Sequence, residues 1–461
     1  MAFDTFSYFL FLPCLFLLFV ICPDRFRWLL LLVTSFIFYA SLQKPLLLFV
    51  LLAVIIISFL LGRLIERTIT PADRKRVLWL GVGGNLSLLI SMKYLPFSPL
   101  MAVGISFYVF QAIAYLVDVY FRMAKADNHF GYFALYLSFF PKLLQGPIER
   151  SGDLLPQLKA KYTFDYDNVR LGLLLFTWGL FKKTVVANRL AYYVNTVYNN
   201  VHQFSGLPLL LSTYAYAFQL YLDFSGYTDM ALGSALLFNI HLTQNFNSPF
   251  MATSVIDFWR RWNISLSRWV FDYLFEPLQM RFRSFGKWGT SLSLLMTFLL
   301  CGIWHGATWC YVFFGLLHGI YLSCSVFYRP FQRKWHKVLG TGKSGLLKVW
   351  QIFVTFNLIC FAFVFFRSNT LADAVYTITN MFTGRKDVNS IFFLSQRKDE
   401  LIILCIVIFI YFFISTLIKR HGFDSFKKLS VFIKCLVVYS LITMILILAK
   451  FSHTNFIYFK F

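Results

Sequence analysis

Long apolar runs separated by short polar connections follow one another along nearly the whole chain. A helix needs roughly 20 predominantly apolar residues to cross a bilayer, and many of these runs approach that length. The pattern therefore predicts an all-α, polytopic integral membrane protein. The predicted helices are Phe6–Ile21, Trp28–Leu42, Leu46–Leu61, Leu78–Ile90, Ala102–Tyr120, Tyr132–Leu144, Leu171–Leu180, Pro208–Leu222, Met230–Ile240, Leu292–Ile303, Cys310–Phe327, Trp350–Phe366, Leu401–Ile418 and Val431–Ala449.

Three of these runs, residues 132–144, 171–180 and 230–240, are too short to span a bilayer alone. The first of them leads into Phe140-Pro-Lys-Leu-Leu-Gln-Gly-Pro147, which contains residues that interrupt helices. Irregular backbone is tolerated at membrane depth only inside protein or along a cavity. The short runs therefore predict re-entrant or buried segments and an internal cavity.

Composition excludes a soluble domain. Of the 461 residues 59% are hydrophobic and 14% are charged, and the mean hydropathy is +0.66, whereas soluble domains carry about 25% charged residues. The formal net charge is +23, but the basic residues cluster in short connections, as in plasma-membrane proteins with positive loops inside. No RNA-binding motif accompanies this charge, so nucleic acid is not a predicted partner. Membrane lipids are a predicted partner.

The basic connections also predict the orientation. Arg63–Arg76, Arg329–Lys348 and Lys419–Lys428 are placed in the cytoplasm, which leaves the N-terminus and Arg367–Glu400 outside. This assignment puts His305 nearer the outer half of the membrane.

His305 and His318 are the first candidates for chemistry, because an ionisable side chain within a membrane is costly to keep. Each is followed by glycine. Their spacing does not suit a metal pair, and no metal site is predicted. A histidine can remove a proton from a hydroxyl at neutral pH. The alternative is a structural hydrogen bond between helices.

The tract Asp257–Ser267 has two interpretations. Its polar side chains, including Asn263, can project into a buried site. It can instead form an interfacial amphipathic helix, with tryptophans in the headgroup layer and arginines extended toward water. The side chains concerned are Trp259, Trp262, Trp269, Arg260 and Arg261.

Further polar residues lie among the apolar runs. Asp223 and Asp229 fall between two predicted hydrophobic helices, and Pro141–Arg150 carries Gln145. Buried carboxylates are normally paired, so a network between Asp229 and an arginine is the structural explanation.

Six motifs occur in a fixed order and together resemble the membrane-bound O-acyltransferase superfamily, specifically its bacterial branch. That branch includes the membrane proteins of alginate and peptidoglycan O-acetylation and the D-alanyl-transfer protein of teichoic acid modification. The resemblance covers roughly residues 100–320. The motifs lie at Gly104–Ala112, Phe140–Arg150, Asp223–Asp229, Asn245–Phe250, Asp257–Ser267 and Ile303–Gly306.

The resemblance implies a ring of tilted helices around a thin core pierced by a tunnel. It implies one membrane domain over 1–461, with N-terminal helices in 1–100, the catalytic core in 101–320 and C-terminal helices in 321–461. His305 matches the family's catalytic histidine, and Asn263 matches a position that is histidine in many bacterial members. An amide cannot accept a proton at neutral pH, so Asn263 is expected to orient a reacting group. Candidate tunnel residues are His318, Trp304, Trp262, Arg260, Arg261, Asp229 and Gln145.

The expected activity is transfer of an acetyl group across the bacterial inner membrane to an outer hydroxyl, with acetyl-CoA as the acyl donor and no bound cofactor. An extracytoplasmic acetyltransferase partner that modifies a polysaccharide is expected, and a homo-oligomer is left open. Three alternatives remain. They are D-alanyl transfer from a carrier-protein thioester to teichoic acid, a secondary transporter, which the lack of an inverted repeat disfavours, and a structural scaffold.

Overall fold

The computed structural model describes residues 2–42, 46–94, 104–338, 344–383, 398–428 and 431–450. Within these ranges the regular structure is helical throughout, so the prediction of an all-α polytopic protein is confirmed. The chain forms two compact units, Met1–Leu180 with Gly226–Gln244 and Phe181–Ser225 with Asn245–Phe461.

The helices are numbered here in chain order. They are α1 (Phe6–Ile21), α2 (Asp24–Leu42), α3 (Leu46–Arg67), α4 (Pro71–Tyr94), α5 (Ile105–Tyr120), α6 (Phe130–Ser138), α7 (Ser151–Lys159), α8 (Tyr166–Leu180), α9 (Asn188–Tyr198), α10 (Leu207–Leu236), α11 (Val255–Trp259), α12 (Ile264–Val270), α13 (Glu276–Arg281), α14 (Gly286–His305), α15 (Trp309–Val338), α16 (Gly345–Arg367), α17 (Leu371–Asn380), α18 (Lys398–Lys428) and α19 (Val431–Leu448).

Five helical segments in the described part of the chain are long and apolar enough to cross a membrane. They agree with the hydropathy pattern to within a few residues at most ends. They are Asp24–Leu42, Leu47–Arg67, Arg283–His305, Trp309–Gln332 and Gly345–Arg367. Of the Arg367–Glu400 stretch predicted outside the membrane, residues 384–397 lie outside the described residues.

The first unit contains the predicted buried segment. α5 is apolar on almost every face and buried on almost every face, as expected for a helix inside a core. After α6 the chain continues without regular helix from Phe139 to Glu149, and this stretch is buried. Lys142 donates a hydrogen bond to Gln111 there, and the Tyr136 hydroxyl donates to the Glu149 carbonyl over 2.9 Å. The interpretation of residues 132–144 as a short buried segment is confirmed.

Two of the short runs were predicted wrongly. Leu171–Leu180 is not isolated, because α8 continues through a π-helix, Phe181–Ala187, into α9. Met230–Ile240 begins inside α10, which also contains Pro208–Leu222. Asp223 and Asp229 therefore lie within one helix and not between two.

The physical reason is that the polar groups of α10 find partners while the backbone stays helical. In the second unit, Lys183 on the π-helix forms a buried ion pair with Asp223. Lys182 donates a hydrogen bond to the Ser225 hydroxyl over 3.0 Å. A hydropathy pattern shows the polar positions but not these partners, which are far away in the sequence.

The second unit is built around the close pair α14 and α15. Gly302 and Gly315 face each other, and a Cβ atom added at Gly315 would lie 3.0 Å from the Cα of Gly302. Small residues at a helix crossing allow the backbones to approach closely. α16 packs against α15, and the short helix α11 packs against both. This arrangement places the end of α14 beside the first turns of α15.

Candidate active site

His305 is the last residue of α14. Its side chain is 6% exposed. Aromatic rings surround the imidazole, with ring centroids 4.5 Å away for Trp304, 4.9 Å for Phe366, 5.8 Å for Phe314 and 6.3 Å for Tyr311. The ring therefore lies in a site from which bulk water is largely excluded.

The position of His305 at the carboxyl end of α14 suits a proton acceptor. The carbonyl end of a helix carries partial negative charge, which interacts favourably with a cation that forms there. The next residue must be small, because a Cβ atom on Gly306 would lie 2.6 Å from the ring of Tyr311. Gly306 thus lets the chain turn into α15 while the imidazole stays at the helix end.

Asn263 lies within the tract Asp257–Ser267 that the sequence singled out. It precedes α12 and has a left-handed backbone, with φ 42° and ψ 59°. Asparagine adopts this conformation more readily than other residues with a Cβ atom. The side chain is 1% exposed, and its Oδ1 has no hydrogen-bond partner among the described residues. The backbone at this position therefore favours asparagine, and the buried Oδ1 is an acceptor without a partner among the described residues.

The neighbouring loop fixes this turn. The carbonyl of Asn245 accepts from the Ile264 N–H over 2.9 Å, and its Oδ1 accepts from the Ser265 N–H over 3.1 Å. Asn247 N–H donates to the Arg261 carbonyl over 3.0 Å. Backbone on both sides of Asn263 is thus held by residues 245–247.

One aromatic cluster, Trp262, Phe314, Phe363 and Phe366, connects the surroundings of Asn263 with those of His305. Trp262 and Phe363 have centroids 5.7 Å apart. Phe363 stacks on Phe314 at 6.2 Å and lies 6.4 Å from Phe366. Phe314 and Phe366 both contact the His305 ring. His305 therefore contacts the same aromatic cluster that contains Trp262, the residue that precedes Asn263 in the chain.

His318 joins this cluster from the next turn of α15. Its ring contacts Phe314 at 4.7 Å, and its Nδ1 accepts a hydrogen bond from the indole Nε1 of Trp259 over 3.2 Å. The interfacial interpretation of the tract is therefore wrong for Trp259, which bonds to a buried histidine, and for Trp262, which is 3% exposed. Trp269 is buried as well. Contact with α15 for Trp259 and with α16 for Trp262 replaces the headgroup layer as the environment of these two side chains.

Comparisons with known proteins show the family of the chain. The sequence model of the MBOAT, membrane-bound O-acyltransferase family, matches residues 122–368. The chain is similar to the peptidoglycan O-acetyltransferase of Helicobacter pylori, with 35% identity over 392 residues that cover 75% of this chain and 72% of that protein. It is also similar to the probable alginate O-acetylase of Pseudomonas aeruginosa, with 33% identity over 397 residues that cover 81% and 73%. The teichoic acid D-alanyltransferase of Bacillus subtilis shares 27% over 283 residues, covering 59% and 70%.

The chain belongs to the membrane-bound O-acyltransferase family. It is an acyltransferase and a multi-pass protein of the bacterial inner membrane, in the branch of the family that performs O-acetylation. The match includes α16, which carries Phe363 and Phe366.

The two candidate tunnel arginines, Arg260 and Arg261, differ in their exposure. Arg260 is exposed. Arg261 is half-buried and forms an ion pair with Asp257 over 2.8 Å, one helical turn earlier. Neither contacts the aromatic cluster through a hydrogen bond or ring contact that the structure describes. A role for either in the tunnel stays a prediction.

Asp229 and Gln145 belong to the first unit. Asp229 is half-buried on α10. Gln145 is 2% exposed, and neither polar atom of its side chain has a hydrogen-bond partner among the described residues. Their assignment to the tunnel also stays a prediction.

Three residues of the site were not among the predicted site residues. Asn245 lies in a motif that the resemblance used, and its amide between two helices was a usable signal. Phe363 and Phe366 gave none, because they lie far along the sequence in an ordinary apolar run of a chain with 57 phenylalanines. In the described part of the chain, no three or more histidine, cysteine or acidic residues are grouped as metal ligands would be.

Proposed function

We propose that this acyltransferase moves an acetyl group from cytoplasmic acetyl-CoA to a hydroxyl on the outer side of the membrane, with His305 as the general base. The acceptor hydroxyl belongs to a cell-surface or cell-wall polysaccharide, or to an extracytoplasmic partner that passes the group on. The observation that carries the proposal is the buried imidazole of His305 at a helix end, in the same aromatic cluster that adjoins Asn263.

His305 alone can take up and return the proton that moves in this reaction. A nitrogen of His305 takes the proton of the acceptor hydroxyl while its oxygen attacks the thioester carbonyl carbon. The C–S bond then breaks, and the leaving thiolate takes the proton from the imidazolium. General-base catalysis of this kind contributes about 10²–10⁴-fold in rate. The hydroxyl hydrogen points to His305 in this step, so Asn263 would orient a reacting group by donating its amide N–H to the hydroxyl oxygen or to the thioester carbonyl oxygen.

The aromatic cluster has a second use in this reaction. Water competes with the acceptor hydroxyl for a thioester, and a site that excludes water suppresses that hydrolysis. The rings packed on His305 therefore favour acetyl transfer to the acceptor over hydrolysis of the thioester.

The relatives support the class of acceptor. Relatives described as peptidoglycan and alginate O-acetylating proteins share 33–36% identity with the chain. The D-alanyltransferases share 27–28% over about 60% of it. Acetyl transfer to a glycan is therefore the first candidate, and D-alanyl transfer is the second.

The test uses proteoliposomes that contain the full chain. The cytoplasmic face of the protein points to the outside of the vesicle, where the donor is added, and its outer face points to the vesicle interior. Radiolabelled acetyl-CoA is added outside, and alginate or peptidoglycan fragments, or the exported partner, are enclosed inside. We expect label to become covalently attached to an enclosed acceptor. His305→Ala should lower this transfer by at least 100-fold, with insertion and abundance near wild type.

His202→Ala is the matched control, because this histidine is exposed in the same unit, with 64% of its side chain accessible. It should transfer acetyl normally. Retention of substantial transfer by His305→Ala would exclude the general-base role. Uptake of label without covalent attachment would instead indicate a transporter, and label from D-alanyl carrier protein alone would favour the second candidate.

A further inference from the structure

The hydrogen bond between Trp259 and His318 determines where the proton of the second histidine lies. Indole Nε1–H is a donor only, so the Nδ1 of His318 at 3.2 Å must be an unprotonated acceptor. A histidine that accepts at Nδ1 is neutral and carries its proton on Nε2. The edge contact of the two rings, with centroids 5.0 Å apart, holds this orientation.

The Nε2–H group that results is a buried donor. His318 is 0% exposed, and in the described part of the chain no acceptor lies within hydrogen-bond distance of Nε2. The rings of Phe314, Phe298 and Tyr321 also contact the His318 ring. A donor buried without an acceptor is unfavourable. The Nε2–H of His318 is therefore available to an acceptor atom of a ligand.

The position of His318 indicates which ligand atom this is. Phe314 contacts the rings of both His305 and His318. His318 lies four residues after Phe314, about 6 Å further along α15. In the orientation proposed above, that direction leads toward the cytoplasmic basic segment, so an entering donor passes His318 before its thioester reaches His305. In acetyl-CoA, the first amide of the pantetheine arm is separated from the sulfur by only two methylene groups.

We propose that the Nε2–H of His318 binds an amide carbonyl oxygen of the donor's pantetheine arm, with Trp259 fixing the tautomer. His318 is then a positioning residue for the acyl donor, and the inference rests on the proposed function. It explains why a neutral histidine is kept in an aromatic surrounding one turn from the reacting centre.

The test measures the Kd of the full-length protein for the ketone analogue of acetyl-CoA, in which a methylene replaces the sulfur. Glutamine can bring an amide N–H near the position of Nε2, whereas asparagine reaches only the position of Nδ1. His318→Asn should raise the Kd about 3- to 10-fold, the value of one hydrogen bond, and His318→Gln should remain within about twofold of wild type. The KM for acetyl-CoA in the transfer assay should change in parallel.

A truncated ketone that lacks both arm amides separates this role from a structural one. The His318 variants should bind the truncated ligand as wild type does. Trp259→Phe, which keeps a ring but removes the donor, is the second variant and should raise the Kd for the full analogue. Trp288→Phe, an exposed tryptophan of α14, is the control and should not.

Equal effects of asparagine and glutamine, or an effect that persists with the truncated ligand, would overturn the inference. So would a wild-type protein that does not bind the full analogue. Failure of the proposed function has a different signature, because the wild-type protein would then transfer no acetyl group whatever the His318 variants bind.

Discussion

The left-handed backbone of Asn263 allows its side chain and its conformation to be tested separately. Asn263→Gly removes the amide and keeps a backbone that adopts φ 42° freely. If the amide orients a reacting group, transfer should fall about 10- to 1000-fold, as for the loss of one preorganised polar contact. The glycine variant should unfold at nearly the same temperature as wild type. The entropy that glycine adds to the unfolded state, about 0.5–1 kcal/mol, is offset because a buried unsatisfied Oδ1, which costs about 1–3 kcal/mol, is removed.

Asn263→Ala should lose the same activity and also stability. A Cβ residue in the left-handed region costs roughly 1–2 kcal/mol, so alanine should lower the free energy of unfolding by about 1 kcal/mol relative to glycine. Asn263→His should retain partial activity, because histidine tolerates positive φ and carries a polar ring.

The assay is acetyl transfer per mole of folded protein, with thermal unfolding in detergent measured on the same samples. Asn239→Gly is the control, since Asn239 also has a positive φ of 58° but lies in the first unit. It should transfer acetyl at the wild-type rate. If Asn263→Gly is fully active and only the alanine variant is impaired, asparagine is needed there for its backbone alone, and the orienting role is refuted.

Two further predictions concern packing and orientation. Asp223→Asn should destabilise the protein by about 3–5 kcal/mol, because it leaves the buried Lys183 ammonium without this carboxylate, and joint replacement by Lys183→Met and Asp223→Leu should recover most of the loss in detergent unfolding. With native cysteines replaced, Phe382→Cys should react with an impermeant thiol reagent in spheroplasts and Ser344→Cys should not. Labelling in the opposite sense would reverse the orientation and the direction of transfer.

Hydropathy predicted most helices of this protein, because each long apolar run must be buried in lipid or protein whatever its partners. It failed at residues 171–180 and 230–240. There, whether a polar stretch breaks a helix depends on partners such as Lys183 and Asp223, which a local pattern does not show.

The same limit of a local sequence pattern applies to the candidate site. His305 and Asn263 were predicted from residue type, position and family resemblance. Their aromatic surroundings, and the bond from Trp259 to His318, depend on how α11, α15 and α16 pack. A tryptophan beside arginines has the same local sequence at a membrane surface and in a buried site, so only tertiary structure distinguishes the two.

The glycine contact between α14 and α15 limits how far α14 can tilt without displacing His305. Gly302 lies three residues before His305, about 4.5 Å along the helix axis. A side chain that tilted α14 by roughly 10° about this crossing would displace the imidazole by about 0.8 Å. Misplacement on the scale of 1 Å can cost about 10²-fold in rate. Redesign of this acyltransferase for other acyl groups therefore has little freedom at the glycine pair, because the position of the proposed base depends on the close approach of Gly302 and Gly315.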